Sequence, residues 1–398
     1  MQNDNSTKKQ ILIVYPCLML GGSTTSLLSL LGVLDYDKYE VDLLFLTDNK
    51  TNVEKVPPQV NILPIAHKYQ SAKRRKIWRM TSIRYLWHYA ISKFITWKNK
   101  NRKYGEEYLV RKDLEPYRKL EKEYDVAIGF LEGYSNIYLI DHVKAKKKIG
   151  WVHIDLMASN FNPAYDKPIF EKLDNIVVVS NKCLESFKKY CPECAEKGVV
   201  IENILTQEYA QKMAQEDARI EGFDKDKINL FTCCRISFTA KGLDRATRVF
   251  AKLKNENLIE DVRWYILGEG SDRPILEQMI KDFGLEKNII LLGAIDNPYK
   301  YLKQADLFFL PSIWEGKPMA VTEAQLLGIP AFVTEYASAH EQVRDGVDGI
   351  VVKNDEESIY EGLKKLLLDL SVLDKLGENT KNTNYSNLQE VEKVYELF

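Results

Sequence analysis

The 398-residue chain carries almost no net charge, since 56 Lys and Arg stand against 57 Asp and Glu. A formal charge of −1 gives no global pull toward nucleic acid or membrane, so any such affinity must come from a local patch. No apolar run approaches the roughly 20 residues needed to span a bilayer. The polar stretch Met1 to Gln10 lacks the apolar core of a secretory signal, so the chain is expected in the cytoplasm. Cysteine is sparse, with six residues. Cys17 and the Cys233-Cys234 pair lie in or beside apolar strand-like runs, where buried thiols are expected. Cys191-Pro-Glu-Cys194 has the spacing of half a zinc site, but no second Cys/His pair accompanies it, and no metal is expected. Short-period repeats and low-complexity tracts are missing too.

What is present is a soluble globular composition, 45% hydrophobic and 28% charged, in a chain long enough for two domains. Short apolar runs alternate with amphipathic stretches. Ile11–Tyr15, Val41–Leu46, Val126–Phe130, Lys148–His153, Ile176–Ser180 and Val199–Ile204 read as strands in the first half. Leu230–Cys234, Trp264–Leu267, Ile289–Leu292, Leu307–Pro311, Ala331–Thr334 and Ile350–Val352 do so in the second. Thr24–Leu34, Leu243–Leu253, Pro274–Phe283, Pro318–Leu327 and Ile359–Leu370 read as helices. The alternation predicts an α/β protein with parallel sheets covered on both faces, whose ligands bind on loops beyond the carboxyl ends of the strands. The expected division is 1–205, joined by a C-terminal helix at about 384–398, and 206–383.

The densest segment runs from Leu310 to Pro330. A strand ends near Pro311, Pro318 suits a first helical turn, and Gly328 suits the position past a helix end. The loop Ser312 to Lys317 should therefore feed a helix N-terminus, whose unpaired N–H groups suit a phosphate or a sugar oxygen. Glu315 lies in that loop and Glu323 about one and a half turns into the helix. An anion does not belong against a diphosphate, so both read as acceptors from hydroxyls, or else as two surface glutamates.

Glu315, seven residues and Glu323 resemble the E-x7-E signature of retaining GT-B glycosyltransferases of the group-1 type (family GT4), which include bacterial surface-polysaccharide enzymes. The resemblance implies two Rossmann-like lobes facing each other across a cleft. It implies that Glu315 contacts the transferred sugar and Glu323 the donor ribose, with Gly316, Lys317, Pro318 and Met319 lining sugar and phosphate. Arg235-Ile-Ser-Phe-Thr-Ala-Lys241-Gly242 is similar to the family's diphosphate-binding loop, and two cations beside a helix start suit that task. Gly268, in Leu267-Gly-Glu-Gly270, resembles the glycine turn near the donor. Gly293, Ala294 and Ile295 resemble the base-binding loop.

In the first half, Gly21-Gly22-Ser23 is not a G-x-G-x-x-G dinucleotide fingerprint. Gly22 reads either as a tight turn or, by the resemblance, as a loop approaching the donor phosphate. Trp151-Val-His153-Ile-Asp155 resembles the family's W-x-H-x-D, which implies that His153 faces the reaction centre; a lone histidine is otherwise a structural residue. Glu202-Asn203 lacks the family's following Pro and is given no role.

From Lys68 to Lys103 there are twelve Lys/Arg, no Asp or Glu, and Trp78, Trp87 and Trp97. Ile83, Leu86, Trp87, Ala90, Ile91, Phe94 and Ile95 make one helical face. Three readings stay open: contact with an anionic membrane at its inner face, packing on the first sheet, and, without a recognised motif, RNA. The resemblance implies a nucleotide-sugar donor, a UDP-sugar, with a glycan or lipid-linked acceptor, no cofactor and no metal. Here Arg235, Lys241, Glu315 and His153 would serve catalysis. A non-catalytic partner subunit that binds glycan, and an epimerase, are the alternatives.

Overall fold

The computed structural model describes residues 8–19, 21–47, 52–64, 67, 72–100, 102–159 and 161–398, with backbone only at 72–75, 102 and 103. The chain forms two compact units. One holds Met1–Met19, Ser23–Asn203 and Gln389–Phe398, the other Leu20–Gly22 and Ile204–Leu388.

In the first unit, β1 (Lys9–Tyr15), β2 (Tyr39–Phe45), β3 (Asn61–Leu63), β4 (Glu123–Gly129), β5 (Lys144–Val152), β6 (Asn175–Val178) and β7 (Gly198–Val200) build one sheet. Its order is β3-β2-β1-β4-β5-β6-β7 and every pairing is parallel. Ile11 to Val14 are wholly buried, as expected of a parallel strand covered on both faces. The helices are α1 (Gly22–Val33), α2 (Ala72–Thr81), α3 (Ile83–Asn99), α4 (Arg102–Leu114), α5 (Tyr134–His142), α6 (Pro163–Phe170) and α7 (Asn181–Tyr190).

Two departures from the sequence pattern have local causes. β3 is a three-residue edge strand with mostly exposed side chains, so it leaves no apolar run to detect. β7 ends at Val200 rather than Ile204, because the Glu202 N–H leaves the sheet to donate to Glu390 Oε2 at 2.9 Å. Cys17, Cys233 and Cys234 are half-buried rather than buried, since each sits at or just past a strand end.

The second unit contains β8 (Ile228–Cys233), β9 (Val262–Leu267), β10 (Ile289–Gly293), β11 (Leu307–Leu310), β12 (Ala331–Thr334) and β13 (Gly349–Val352). They are parallel in the order β10-β9-β8-β11-β12-β13. α8 (Gln207–Ala214) precedes them, and between them run α9 (Phe238–Lys241), α10 (Leu243–Asn255), α11 (Arg273–Asp282), α12 (Tyr299–Leu302), α13 (Met319–Leu326) and α14 (Ala339–Gln342). α15 (Glu356–Leu368) and α16 (Ser371–Lys381) follow, and α17 (Glu390–Glu396) closes the chain within the first unit.

Side-chain alternation along β11 sorts the second unit's core into two layers. Phe309 packs with Trp264, Phe250 of α10 and Leu363 of α15 on one face. Phe308 and Leu310 pack with Val321 and Ala324 of α13 on the other. Trp264 is fully buried, 4.9 Å from the Phe250 ring centroid and 5.1 Å from that of Phe309. Its Nε1–H donates to Thr232 Oγ1 at 2.7 Å, and that hydroxyl donates in turn to the Phe309 carbonyl. Trp264→Ala empties this layer and frees a buried hydroxyl acceptor, so it is expected to destabilise the second unit by about 3–5 kcal/mol. Denaturant unfolding of the purified variant checks this.

Candidate functional site

The strand order reverses between β8 and β11, which are neighbours although β9 and β10 lie between them in sequence. At such a switch point the loops leaving the two strands diverge and a crevice opens at their carboxyl ends. The loop after β8 carries Arg235 and leads to Lys241, and the loop after β11 carries Glu315. The topology therefore brings together two segments that the sequence holds far apart.

They meet in an ion pair. Lys241 Nζ lies 2.5 Å from Glu315 Oε1, with the two side chains 18% and 10% exposed. Ser312 Oγ donates to the same oxygen at 2.7 Å, which leaves Glu315 Oε2 as the acceptor for an incoming group. The Ile313 N–H donates to the Ala240 carbonyl at 2.8 Å, so the two loops are also tied by backbone. Gly242 allows the approach. Its φ is +61°, and a Cβ there would lie 2.5 Å from the Pro311 carbonyl. Arg235 is exposed, with no ion pair among the described residues.

Residues that the sequence did not single out hold the loop after β11. Arg245 donates through Nη2 to the Pro311 and Ser312 carbonyls at 2.9 and 3.2 Å, and through Nη1 to the Asn354 carbonyl at 3.1 Å. Asn354 Nδ2 donates to the Ile313 carbonyl, Thr334 Oγ1 to that of Ser312, and Gln342 Nε2 to that of Pro318. These partners lie between 20 and 110 residues from one another in the chain, so no spacing pattern could have revealed them.

α13 begins at Met319, with Pro318 in extended conformation at the N-cap rather than in the first turn; no side chain caps it. Pro318 fits there because its ring-fixed φ, here −67°, suits an extended N-cap, and its carbonyl accepts from both the Val321 N–H and Gln342 Nε2. Gly328 has φ +78° just past the helix end, as its position suggests.

Glu323 faces the interior. It is 5% exposed, and burial pushes its carboxyl up to about 7, against a smaller opposing effect of the Tyr299 hydroxyl, which donates to Oε1 at 3.2 Å. Tyr299 is itself held well above its ordinary value by burial and then by the Glu323 charge, so it stays a phenol and a donor. Its ring meets Tyr209 edge-on at 5.8 Å. Tyr299 lies in Asn297-Pro-Tyr299, a segment similar to that of bacterial surface-polysaccharide enzymes, to which the sequence attaches no role.

Gly268 and Gly293 lie at the ends of β9 and β10, and the Gly268 N–H donates to the Gly293 carbonyl at 2.7 Å. A Cβ on Gly268 would sit 1.8 Å from the Cys234 carbonyl, which keeps the turn against the Arg235 loop. Ala294 is exposed and Ile295 half-buried just beyond; Gly316 is buried and Lys317 half-buried in the β11 loop.

Gly22, which falls with the second unit, is exposed and opens α1, and the remaining expected residue, His153, belongs to the first unit. His153 follows β5, and its N–H donates to Glu132 Oε2 at 3.1 Å. Its Nε2 is enclosed without a hydrogen-bond partner, and its ring packs 5.1 Å from Phe130. Burial pulls its pKa down to about 4, against opposing pulls from the Phe130 backbone and Asn203, so the ring is neutral near pH 7. Asp155 accepts from Ser186 Oγ on α7 at 2.5 Å and from the Ala158 N–H at 3.1 Å, a structural tie. Among the described residues, no group of three or more His, Cys, Asp or Glu could hold a metal ion.

Comparison with known proteins places this geometry. Residues 213–383, most of the second unit, match the family model of glycosyl transferases group 1. The chain is similar to a Campylobacter jejuni enzyme named N-acetylgalactosamine-N,N'-diacetylbacillosaminyl-diphospho-undecaprenol 4-alpha-N-acetylgalactosaminyltransferase. The two are 30% identical over 246 residues, which is 60% of this chain and 63% of that one. It is 32% identical over 147 residues to the Escherichia coli UDP-Gal:alpha-D-GlcNAc-diphosphoundecaprenol alpha-1,3-galactosyltransferase, covering 36% of this chain and 38% of that one. The matches thus span less than two thirds of either relative. In fold, the chain resembles Anabaena HepE solved with UDP and glucose (TM-score 0.68, 14% identity, 98% of each chain covered). It likewise resembles a Staphylococcus aureus TarM variant solved with UDP (TM-score 0.67, 16% identity, 98% and 99% covered). The architecture is that of GT-B proteins, two Rossmann-like α/β units.

The Glu323 carboxyl has a testable linkage. A folded-state pKa raised from 4.5 to about 7 means the native state holds the proton more tightly than the unfolded chain. The stability tied to that proton is complete below about pH 4.5 and is lost as pH rises through about 7, a change of roughly 3 kcal/mol. Glu323→Gln keeps the acceptor for Tyr299 and removes the titration. Its unfolding free energy is expected to be flatter than wild type between pH 5 and 8, measured by denaturant titration at each pH.

Proposed function

Starting from the glycosyl transferases group 1 match over residues 213–383, we propose that this chain is a retaining glycosyltransferase. It takes a sugar from a nucleotide-sugar donor, a UDP-sugar, to a glycan or lipid-linked acceptor in bacterial surface polysaccharide or glycoconjugate synthesis. The observation that carries the reading is the Lys241–Glu315 contact at the strand-order switch, with Arg235 exposed on the loop that leads to Lys241. Support for donor and acceptor comes from the relatives' names, which speak of UDP-Gal and of diphospho-undecaprenol glycans, and from HepE, which was solved with UDP and glucose.

In this reading the bond between the sugar's anomeric carbon and the diphosphate oxygen breaks, and negative charge grows on the departing nucleotide. Arg235 and Lys241 meet that charge, with the uncapped start of α13, as fixed donors that need no reorganisation. Lys241 can do so without leaving Glu315, because an ammonium has three N–H donors. Glu315, with Gly316, Lys317, Pro318 and Met319, orients the sugar through hydroxyl hydrogen bonds. Glu323 takes the ribose hydroxyls, and Gly268, Gly293, Ala294 and Ile295 border the nucleotide. By the family resemblance Gly22 and His153 serve the donor as well, His153 as a neutral hydrogen-bonding ring rather than a cation. No resident metal or cofactor enters the scheme, and contact of the Lys68–Lys103 stretch with an anionic membrane belongs to it.

Two variants test the site. Glu315→Gln should bind UDP within a few-fold of wild type by calorimetry, yet lose on the order of a hundredfold in sugar transfer. Lys241→Ala would strand a buried carboxylate, so it is made together with Glu315→Gln; the double variant should unfold near the wild-type temperature and remain inactive. Full transfer activity in Glu315→Gln would overturn the assignment. Absence of any nucleotide binding by the wild-type chain would favour a non-catalytic partner subunit.

A further inference from the structure

The helices between β3 and β4 are built inside out. α3 turns its polar and small residues toward α4: His88 Nδ1 lies 2.6 Å from Tyr108 Oη. Ser92 is buried, and Gly105 is the close-approach point, where a Cβ would fall 2.2 Å from Thr96 Oγ1 and 2.4 Å from the Ser92 carbonyl. The opposite side is apolar and uncovered. Ile83, Leu86, Trp87, Ala90, Phe94 and Trp97 recur every three or four residues and form one stripe. Ile83 is 85% exposed, Trp87 67%, Phe94 58% and Trp97 74%. On α2, Ile77 and Met80 are exposed as well. Packing on the sheet, one of the readings open from sequence, therefore does not account for this stripe; Ile91 and Ile95, to one side of it, are half-buried.

The cations divide in the same way. Arg79 pairs with Asp113 at 2.8 Å and Arg84 with Glu115 at 3.3 Å, so these two fasten the helices to one another. Lys93 and Lys98 flank the bare stripe on its two sides, Lys100 follows the helix end and Lys76 lies on α2; all four are exposed and have no acidic partner among the described residues. Lys68 lies outside the described residues, as do the side chains of Lys73, Arg74, Arg75, Arg102 and Lys103.

We infer that the outer face of α3 is a bilayer-docking surface, inserted at the headgroup–acyl boundary of an anionic membrane through Trp87, Phe94 and Trp97 and held electrostatically by Lys93, Lys98 and Lys100. An apolar stripe edged by cations, with tryptophans on it, matches the chemistry of that boundary. Charge selects the occupant. A second copy would oppose two cationic faces, since residues 68–103 contain no Asp or Glu, whereas anionic headgroups meet the lysines and acyl chains the stripe. The inference stands on these helices and not on the donor site; it adds to the reading above which residues meet the lipid and which only hold the helices together.

Flotation of the full chain with phosphatidylcholine vesicles, with and without phosphatidylglycerol, tests it. Wild type should float with the anionic vesicles and far less with the neutral ones, with a blue shift of tryptophan emission. Replacing Lys93, Lys98 and Lys100 with Ser should weaken partition on the order of a hundredfold, about fivefold per cation. Replacing Trp87, Phe94 and Trp97 with Ser should abolish flotation and the blue shift. Circular dichroism and UDP calorimetry on the same proteins keep a failed fold or a failed donor reading separate from the vesicle result. Equal flotation of wild type and both variants overturns the inference. So does a wild-type dimer that the aromatic variant converts to monomer, or tighter binding to single-stranded RNA than to vesicles.

Discussion

Neighbouring strands β8 and β11 send their chains to opposite faces of one sheet, α10 to the layer containing Phe309 and α13 to the layer containing Phe308 and Leu310. Everything at the candidate site follows from that divergence. It opens the space at the strand ends, and it sets Lys241 against Glu315. A largely buried carboxylate is costly unless paired and hydrogen-bonded, and here a lysine and a serine hydroxyl share one oxygen. The scaffold then fixes the pair from behind, since Arg245, Asn354, Thr334 and Gln342 take up the loop's carbonyls.

The same burial that shapes the site sets its protonation states. Glu323 is poised near neutrality beside a tyrosine that stays a donor; within the first unit, His153 is separately held neutral by its enclosure. Groups of this kind recognise hydroxyls by direction more than by charge, while the exposed Arg235 is left for charge. A nucleotide sugar presents both kinds of surface, hydroxyls on its two sugars and charge on its diphosphate.

Far from that site, the helices inserted between β3 and β4 break the usual rule of apolar residues inward. Ion pairs and close small-residue contacts do the internal packing between α3 and α4, and the aromatic stripe is spent on the surface. Soluble surfaces rarely leave so large a contiguous apolar area uncovered without a use for it.

Local chemistry was enough to read part of this from the chain, buried parallel strands from runs such as Ile11–Val14 and the helix stop at Gly328, while the family resemblance pointed to the Glu315–Glu323 spacing and the Arg235–Gly242 loop. Those signals are legible because strand and helix periodicities and turn residues act over a few positions. Pairings across the chain were not. Lys241 and Glu315 stand 74 residues apart, and Arg245 and Asn354 stand 109 apart. Only strand order brings such residues within reach, and no local pattern encodes it. The stripe on α3 shows the same limit. Periodicity marked an apolar face, but whether a face is covered depends on what packs beside it, and α4 took the other side.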